Sequence, residues 1–190
     1  AEIPSGTQIK FTDNGWQSSS SSLKTNEGTY TYTAPSTIAA GTVVDPGITG
    51  LGLDARGDQV LAYLGTSSSP TFIYAINSER SSGTWQSDRT NNYTSALPTG
   101  LTNGTNAIAF QEVDNGYYSG TTTTGTKAEL LAAISDPNNW TTSNSTRYTD
   151  DNLPTAFTVS GGTDPTTPAL LLSQSDGSTD ATEGGATDSF

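Results

Sequence analysis

The residues best equipped for chemistry are carboxylates and amides set in two short segments of the same grammar. Asp13-Asn14-Gly15 precedes Trp16, and Asp114-Asn115-Gly116 precedes Tyr117 and Tyr118. Side-chain oxygens of Asp and Asn, joined by turn carbonyls, make hard ligands of the kind calcium takes. Asp13, Asn14, Asp114 and Asn115 are therefore the candidate metal ligands, and Ca2+ the candidate cofactor. The same Asp-Asn-Gly composition also specifies a plain turn, and neither segment has the spacing of a known calcium loop. Both readings stand. Asp54 and Asp58, flanking Arg56 and Gly57, read either as an ion site or as a salt bridge in a turn, and Asp150-Asp151-Asn152 as a ligand cluster or a solvated loop.

Other chemistries are excluded by composition. The chain has no Cys and no His. Zinc, copper and haem sites that need sulfur or imidazole cannot form, nor can Ser-His-Asp or Cys-His catalysis. Glu27, Glu79, Glu112 and Glu129 are the residue types of a glycosidase pair, but nothing fixes two of them at a defined separation, and Glu129 is accounted for by helix capping. The chain is accordingly expected to be non-catalytic. Among aromatics, Trp16 and Trp140 lie in apolar-patterned contexts and are expected in the core. Trp85, between Gly83-Thr84 and Gln86-Ser87, is the candidate ligand-binding platform.

Net charge narrows the partners. The 190 residues carry 7 Lys and Arg against 19 Asp and Glu, a formal charge of −12. Phosphate backbones require cations, so nucleic acid is not an expected partner, and an anionic membrane surface repels such a chain. No apolar run reaches membrane-spanning length. No basic segment followed by an apolar stretch opens the chain, so a signal peptide is not expected within it. Abundant Thr, Ser, Gly and Asn suit the exposed strands and turns of extracellular β-proteins, so the expected location is outside the cell.

The elements that must position these groups are mostly strands. Alternation predicts strands over 7–12, 29–33 and 42–44, and a hairpin of 59–64 and 71–76 around a loop at 67–70. Further strands are expected over 106–110, 155–159 and 169–173. Residues 77–106 read as surface excursions whose aromatics need somewhere to pack. One helix is predicted over 126–135: Thr126 and Glu129 have capping-box spacing, Leu130, Leu131 and Ile134 supply an apolar face, and Asp136-Pro137 ends it. The fold class is all-β, an immunoglobulin-like or jelly-roll β-sandwich with one short α-helix.

Several segments resemble a module repeated in large secreted bacterial proteins, notably cyanobacterial ones. They are Phe11-Thr12-Asp13-Asn14-Gly15-Trp16, Ala39-Ala40-Gly41-Thr42 and Gly57-Asp58-Gln59-Val60-Leu61-Ala62-Tyr63, followed by Gly100-Leu101-Thr102-Asn103-Gly104, Asp114-Asn115-Gly116-Tyr117-Tyr118 and Asp136-Pro137-Asn138-Asn139-Trp140. Their order is also similar to that of the lamin-tail domain, an immunoglobulin-like sandwich. The resemblance spans residues 3–160 and implies a structural or accessory role without catalytic residues, as a neighbour of calcium-binding repeats, adhesin-type sandwiches, or secreted phosphatase and nuclease domains. Related modules begin with one or two further strands, absent here. Residues 176–190, with Glu183-Gly184-Gly185, resemble the opening of a calcium-exchanger-type β-repeat.

The expected organisation is thus a sandwich over 1–160 and a linker with a C-terminal strand or tail over 161–190. One reading is a fragment of a longer protein. The other is a subunit that completes its neighbour by strand exchange, with Ala169, Leu170, Leu171 and Leu172 as the donated strand and filaments as the product. The expected function is a structural or adhesive interaction module that self-associates or joins other modules of its parent protein. The alternative is a carbohydrate- or ligand-binding accessory domain of a secreted enzyme.

Overall fold

The computed structural model describes residues 2–79, 83–149, 152 and 154–161. Ala169, Leu170, Leu171 and Leu172, Asp150 and Asp151, and the tail from 162 onward lie outside the described residues.

The architecture grows from one hairpin. β5 (Gln59–Thr66) and β6 (Ser69–Asn77) pair antiparallel through a two-residue turn at Ser67 and Ser68. The sequence places this hairpin correctly but stops it short, because Pro70 reads as a loop residue. Pro70 is tolerated in the strand because β7 (Ala107–Ala109) pairs with β6 only at residues 75–77, so no neighbour asks for its missing N–H. A bulge lies where Ala62 faces Tyr74 but Tyr63 faces Phe72.

β1 (Gln8–Thr12) pairs with β5 on one side and with β4 (Thr29–Thr33) on the other. The resulting sheet has the order β4-β1-β5-β6-β7, with only β7 parallel to its neighbour. Three two-stranded ribbons surround it. β2 (Trp16–Gln17) pairs with β3 (Ser22–Leu23), β8 (Asn115–Tyr118) with β10 (Trp140–Ser143), and β9 (Thr124–Thr126) runs parallel to β11 (Thr158–Ser160). The fold is all-β and sandwich-like with one short helix, α1 (Lys127–Ile134), as the composition and alternation lead one to expect. No described helix is long and apolar enough to cross a membrane.

Period-2 alternation gives the central hairpin two different faces. Leu61, Tyr63 and Ala75 point into the main core, where Trp16, Leu23, Ala96, Leu101 and Ala107 meet them. Phe72 joins through edge-on contacts with Trp16 and Tyr63 at ring separations of 5.1 and 6.0 Å. Trp85 and Leu97 pack against the same cluster, so the long polar stretch folds back and half-buries these side chains. Leu61 is fully buried, which stabilises by about 1.5–3 kcal/mol. The other face, with Val60 and Ile76, meets Phe110 and Trp140.

The helix is fixed at both ends. Thr126 accepts from the Glu129 N–H, and the Glu129 carboxylate accepts from the Thr126 N–H at 2.8 Å, completing the capping box. At the other end Trp140 donates its indole N–H to the Ile134 carbonyl at 2.8 Å, and the Tyr74 hydroxyl meets that of Ser135 at 3.0 Å. Of the expected apolar face only Leu130 is buried; Leu131 and Ile134 are half-covered.

Three local expectations change. Residues 42–44 form no strand; Thr42 makes a single bridge to Ala156. The late strand begins at Thr158 rather than 155. Asn115 and Gly116 lie within β8 rather than in a turn, because Ser143 and Thr142 of β10 pair with them.

Candidate ligand-binding cleft

A cleft of about 390 Å³ opens on the face of the hairpin opposite the main core. Its floor is apolar and aromatic. Val60 and Ile76, direct partners across β5 and β6, supply one wall, and Phe110 and Trp140 the other. Trp140 packs edge-on to Phe110 at 5.3 Å and to Tyr118 at 6.1 Å, which fixes its plane. Its indole N–H is already committed to the helix end, so the ring presents carbon surface to the cleft.

Carboxylates stand around this floor. Asp54, Asp58 and Asp114 all line the cleft, with Asn115, Ser78 and Thr142 between them. Each acid has a different state. Asp54 takes the Arg56 guanidinium in a two-pronged contact, 2.9 Å at Nε and 2.7 Å at Nη2, which holds its carboxyl down at about 2. Arg56 in turn lies 4.3 Å over the Tyr93 ring. Asp58 is 6 % exposed, and burial, opposed by the Gln59 and Asp54 N–H groups at 2.8 Å, pushes it up to about 6; Asp13 and Asp54 add repulsion. Asp114 is exposed at the rim, and Asn115 donates to the Ser143 carbonyl at 3.4 Å.

Asp13 and Asn14 are not among the walls of this cleft. Asn14 uses both ends of its amide to brace a loop: Nδ2 donates to the Thr12 hydroxyl at 2.8 Å and the Gly28 carbonyl at 3.0 Å, and Oδ1 accepts from the Glu27 N–H at 3.0 Å. Asp13 is fully buried and accepts from the Gly52 N–H at 2.5 Å. The two Asp-Asn-Gly segments therefore occupy different places, one inside a loop junction and one at a cleft. Among the described residues no three acidic, His or Cys side chains converge as metal ligands would.

Trp85 is half-buried against the main core, and its indole N–H donates to Asn103 Oδ1 at 2.9 Å. Glu27 faces Arg89, Glu79 accepts from Gln86, Glu112 accepts from Asn144 at 2.9 Å, and Glu129 caps the helix. Sequence reasoning missed the cleft itself. It singled out Asp54, Asp58 and Asp114 individually and assigned Trp140 to the core, whereas the fold gathers all four around one opening. The available signal was Val60 and Ile76: apolar residues on the hairpin face that the main core does not use.

Comparison of the chain with family models, with curated proteins and with solved structures gives no match.

Proposed function

We propose that the chain is a non-catalytic interaction module of an extracellular bacterial protein, and that the cleft beside Trp140 is its recognition surface for carbohydrate. The observation that carries this reading is the pairing of a fixed aromatic wall with carboxylates at one opening. A sugar ring offers an apolar face that stacks on an aromatic side chain and hydroxyls that donate to carboxylates. Few-hundred-Å³ clefts with apolar linings and a few placed polar groups are the common form of small-ligand sites.

Binding rather than hydrolysis is supported by the state of the acids. Asp54 is neutralised by Arg56, and both oxygens of Asp58 accept from backbone N–H groups. The resemblance of the chain's motifs to repeated extracellular modules supports the same reading.

Affinity electrophoresis on a panel of soluble polysaccharides tests the proposal. Retardation on at least one polysaccharide is expected, lost in Trp140→Ala, reduced at least tenfold in affinity in Asp114→Asn, and kept in Trp85→Ala. No retardation across the panel, or retardation indifferent to Trp140→Ala, overturns it.

A further inference from the structure

The core face of the hairpin does not stay apolar to its end. Along β5 that face runs Tyr63, Leu61, Gln59; along β6 it runs Ala75, Asn77. Gln59 and Asn77 are direct partners, which sets their side chains beside each other. The ladder continues one step further, since the Ser78 N–H donates to the Asp58 carbonyl at 2.7 Å. Glu79 then falls opposite Gly57, a position where even a Cβ would lie 2.9 Å from the Glu79 Cα. Asn77 and Glu79 also reach the same neighbouring segment: Asn77 Nδ2 donates to the Thr84 carbonyl at 3.2 Å, and Glu79 Oε1 accepts from Gln86 Nε2.

These three side chains form a buried polar row. Gln59 and Asn77 are fully buried and Glu79 is 5 % exposed. Yet Gln59 Oε1, Asn77 Oδ1 and Glu79 Oε2 accept no hydrogen bond. They are three of the six buried side-chain polar atoms without a partner among the described residues, so the deficit is concentrated here. Amide reversal does not relieve it. Gln59 Nε2 donates to the main-chain carbonyls of Asp13 and Asn92, and Asn77 Nδ2 to that of Thr84. Turning either amide would set oxygen against oxygen. An unpaired buried acceptor has lost its water with nothing in exchange, and the loss is larger where the group is charged.

We propose that Gln59 Oε1, Asn77 Oδ1 and Glu79 Oε2 ligate a calcium ion at the buried polar end of the core face. One carboxylate and two neutral amide oxygens make a hard donor set. Calcium accepts neutral oxygens and irregular geometry, whereas magnesium demands a near-ideal octahedron and retains its waters. The ion supplies what the row lacks, a positive partner for its unpaired oxygens; Glu79 offsets one of its two charges, and water completes the shell of about six to eight oxygens. The site is separate from the cleft, which Val60 and Ile76 line from the other face of the same two strands, with Asp58 and Ser78 just beyond the strand ends.

Calorimetric titration of chelator-treated full-length protein with CaCl2, with MgCl2 as the comparison, tests the proposal together with thermal melts. Binding of one calcium per chain with a rise in Tm is expected, and weaker binding of magnesium. Glu79→Gln should weaken the calcium Kd at least tenfold, while Asp114→Asn leaves it unchanged. Asn77→Asp, which adds charge to the row, should tighten it, and this variant carries the test if Glu79→Gln does not fold. Absence of calcium binding at about 1 mM, the weak end of extracellular calcium modules, would mean that water serves these oxygens and overturns the proposal. So would a Kd unmoved by Glu79→Gln, or by Asn77→Asp.

Discussion

Arg89 meets Glu27 with its guanidinium Nη2 3.2 Å from the carboxylate, and the two side chains are only 10 % and 6 % exposed. The same Nη2 donates to Asn26 Oδ1 at 2.9 Å. This buried pair ties the loop before β4 to the long excursion between β6 and β7. Removing one partner of such a pair leaves an uncompensated buried group. Arg89→Ala is therefore expected to cost up to about 3–5 kcal/mol above pH 7, where Glu27 is ionised, measured by urea unfolding, and less in mild acid, where Glu27 is neutral.

The pair also sets how stability depends on pH. Burial, with repulsion from Asp58 and Asp13, outweighs Arg89 and raises Glu27 from 4.5 to about 7; Asp58 rises from 3.8 to about 6, chiefly by burial. An acid whose folded pKa is raised holds its proton more tightly in the native state. Its contribution is present below the unfolded pKa and is lost as pH rises through the folded one. Tm is thus expected to fall between roughly pH 4 and pH 7. Asp54, lowered to about 2, and Glu129, also lowered, act in the opposite direction in stronger acid. Glu27→Gln should flatten the decline; a slope identical to that of the wild type would refute the assignment.

Gly57 holds a φ of +88°, and a Cβ there would lie 1.8 Å from the Ser78 carbonyl oxygen. Gly57→Ala combines backbone strain with a collision against main chain, so a loss of more than ~2 kcal/mol is expected. Gly6, at +82°, has nothing within 4 Å of such a Cβ. Gly6→Ala carries only the conformational term of ~1–2 kcal/mol. Denaturant midpoints of the two variants should rank in that order.

Thr126→Ala removes the hydroxyl that accepts from the Glu129 N–H, at an expected cost of about 1 kcal/mol. Because Glu129 answers through its own carboxylate, the double variant Thr126→Ala with Glu129→Ala should lose less than the sum of the single losses. Additive losses in a double-mutant cycle would show that the two contacts act independently.

What could be read from the sequence follows the range of the forces involved. The β5–β6 hairpin and the capping box are local: alternation over adjacent runs and a three-residue spacing specify them. The packing of Trp85 and Leu97 was legible as a requirement, though not where they go. β8 pairing with β10 was not legible, because Asn115-Gly116 has the composition of a turn and acquires strand geometry only from Thr142 and Ser143. The cleft was hidden for the same reason: Val60 and Trp140 are 80 positions apart, and no local pattern announces that they share an opening. The polar row was missed because Gln59 reads as an ordinary strand residue and Asn77 as the first residue of the surface excursion 77–106, so nothing local sets the two opposite each other.

The interior position of β1 in the sheet bears on how fast the chain can fold. β1 is not an edge: Lys10 pairs with Thr31 on one side and Tyr63 on the other. Only β5 and β6 are joined by a tight connection, and a hairpin of that kind closes within about 1–10 μs. Every other neighbour in the five-stranded sheet joins segments far apart in the chain, and each closure loses loop entropy before its contacts form. The chain consequently belongs with the high-contact-order β-proteins, which fold in roughly milliseconds to seconds. By the same measure the hairpin is the pair expected to close first, since the fewest residues separate its strands.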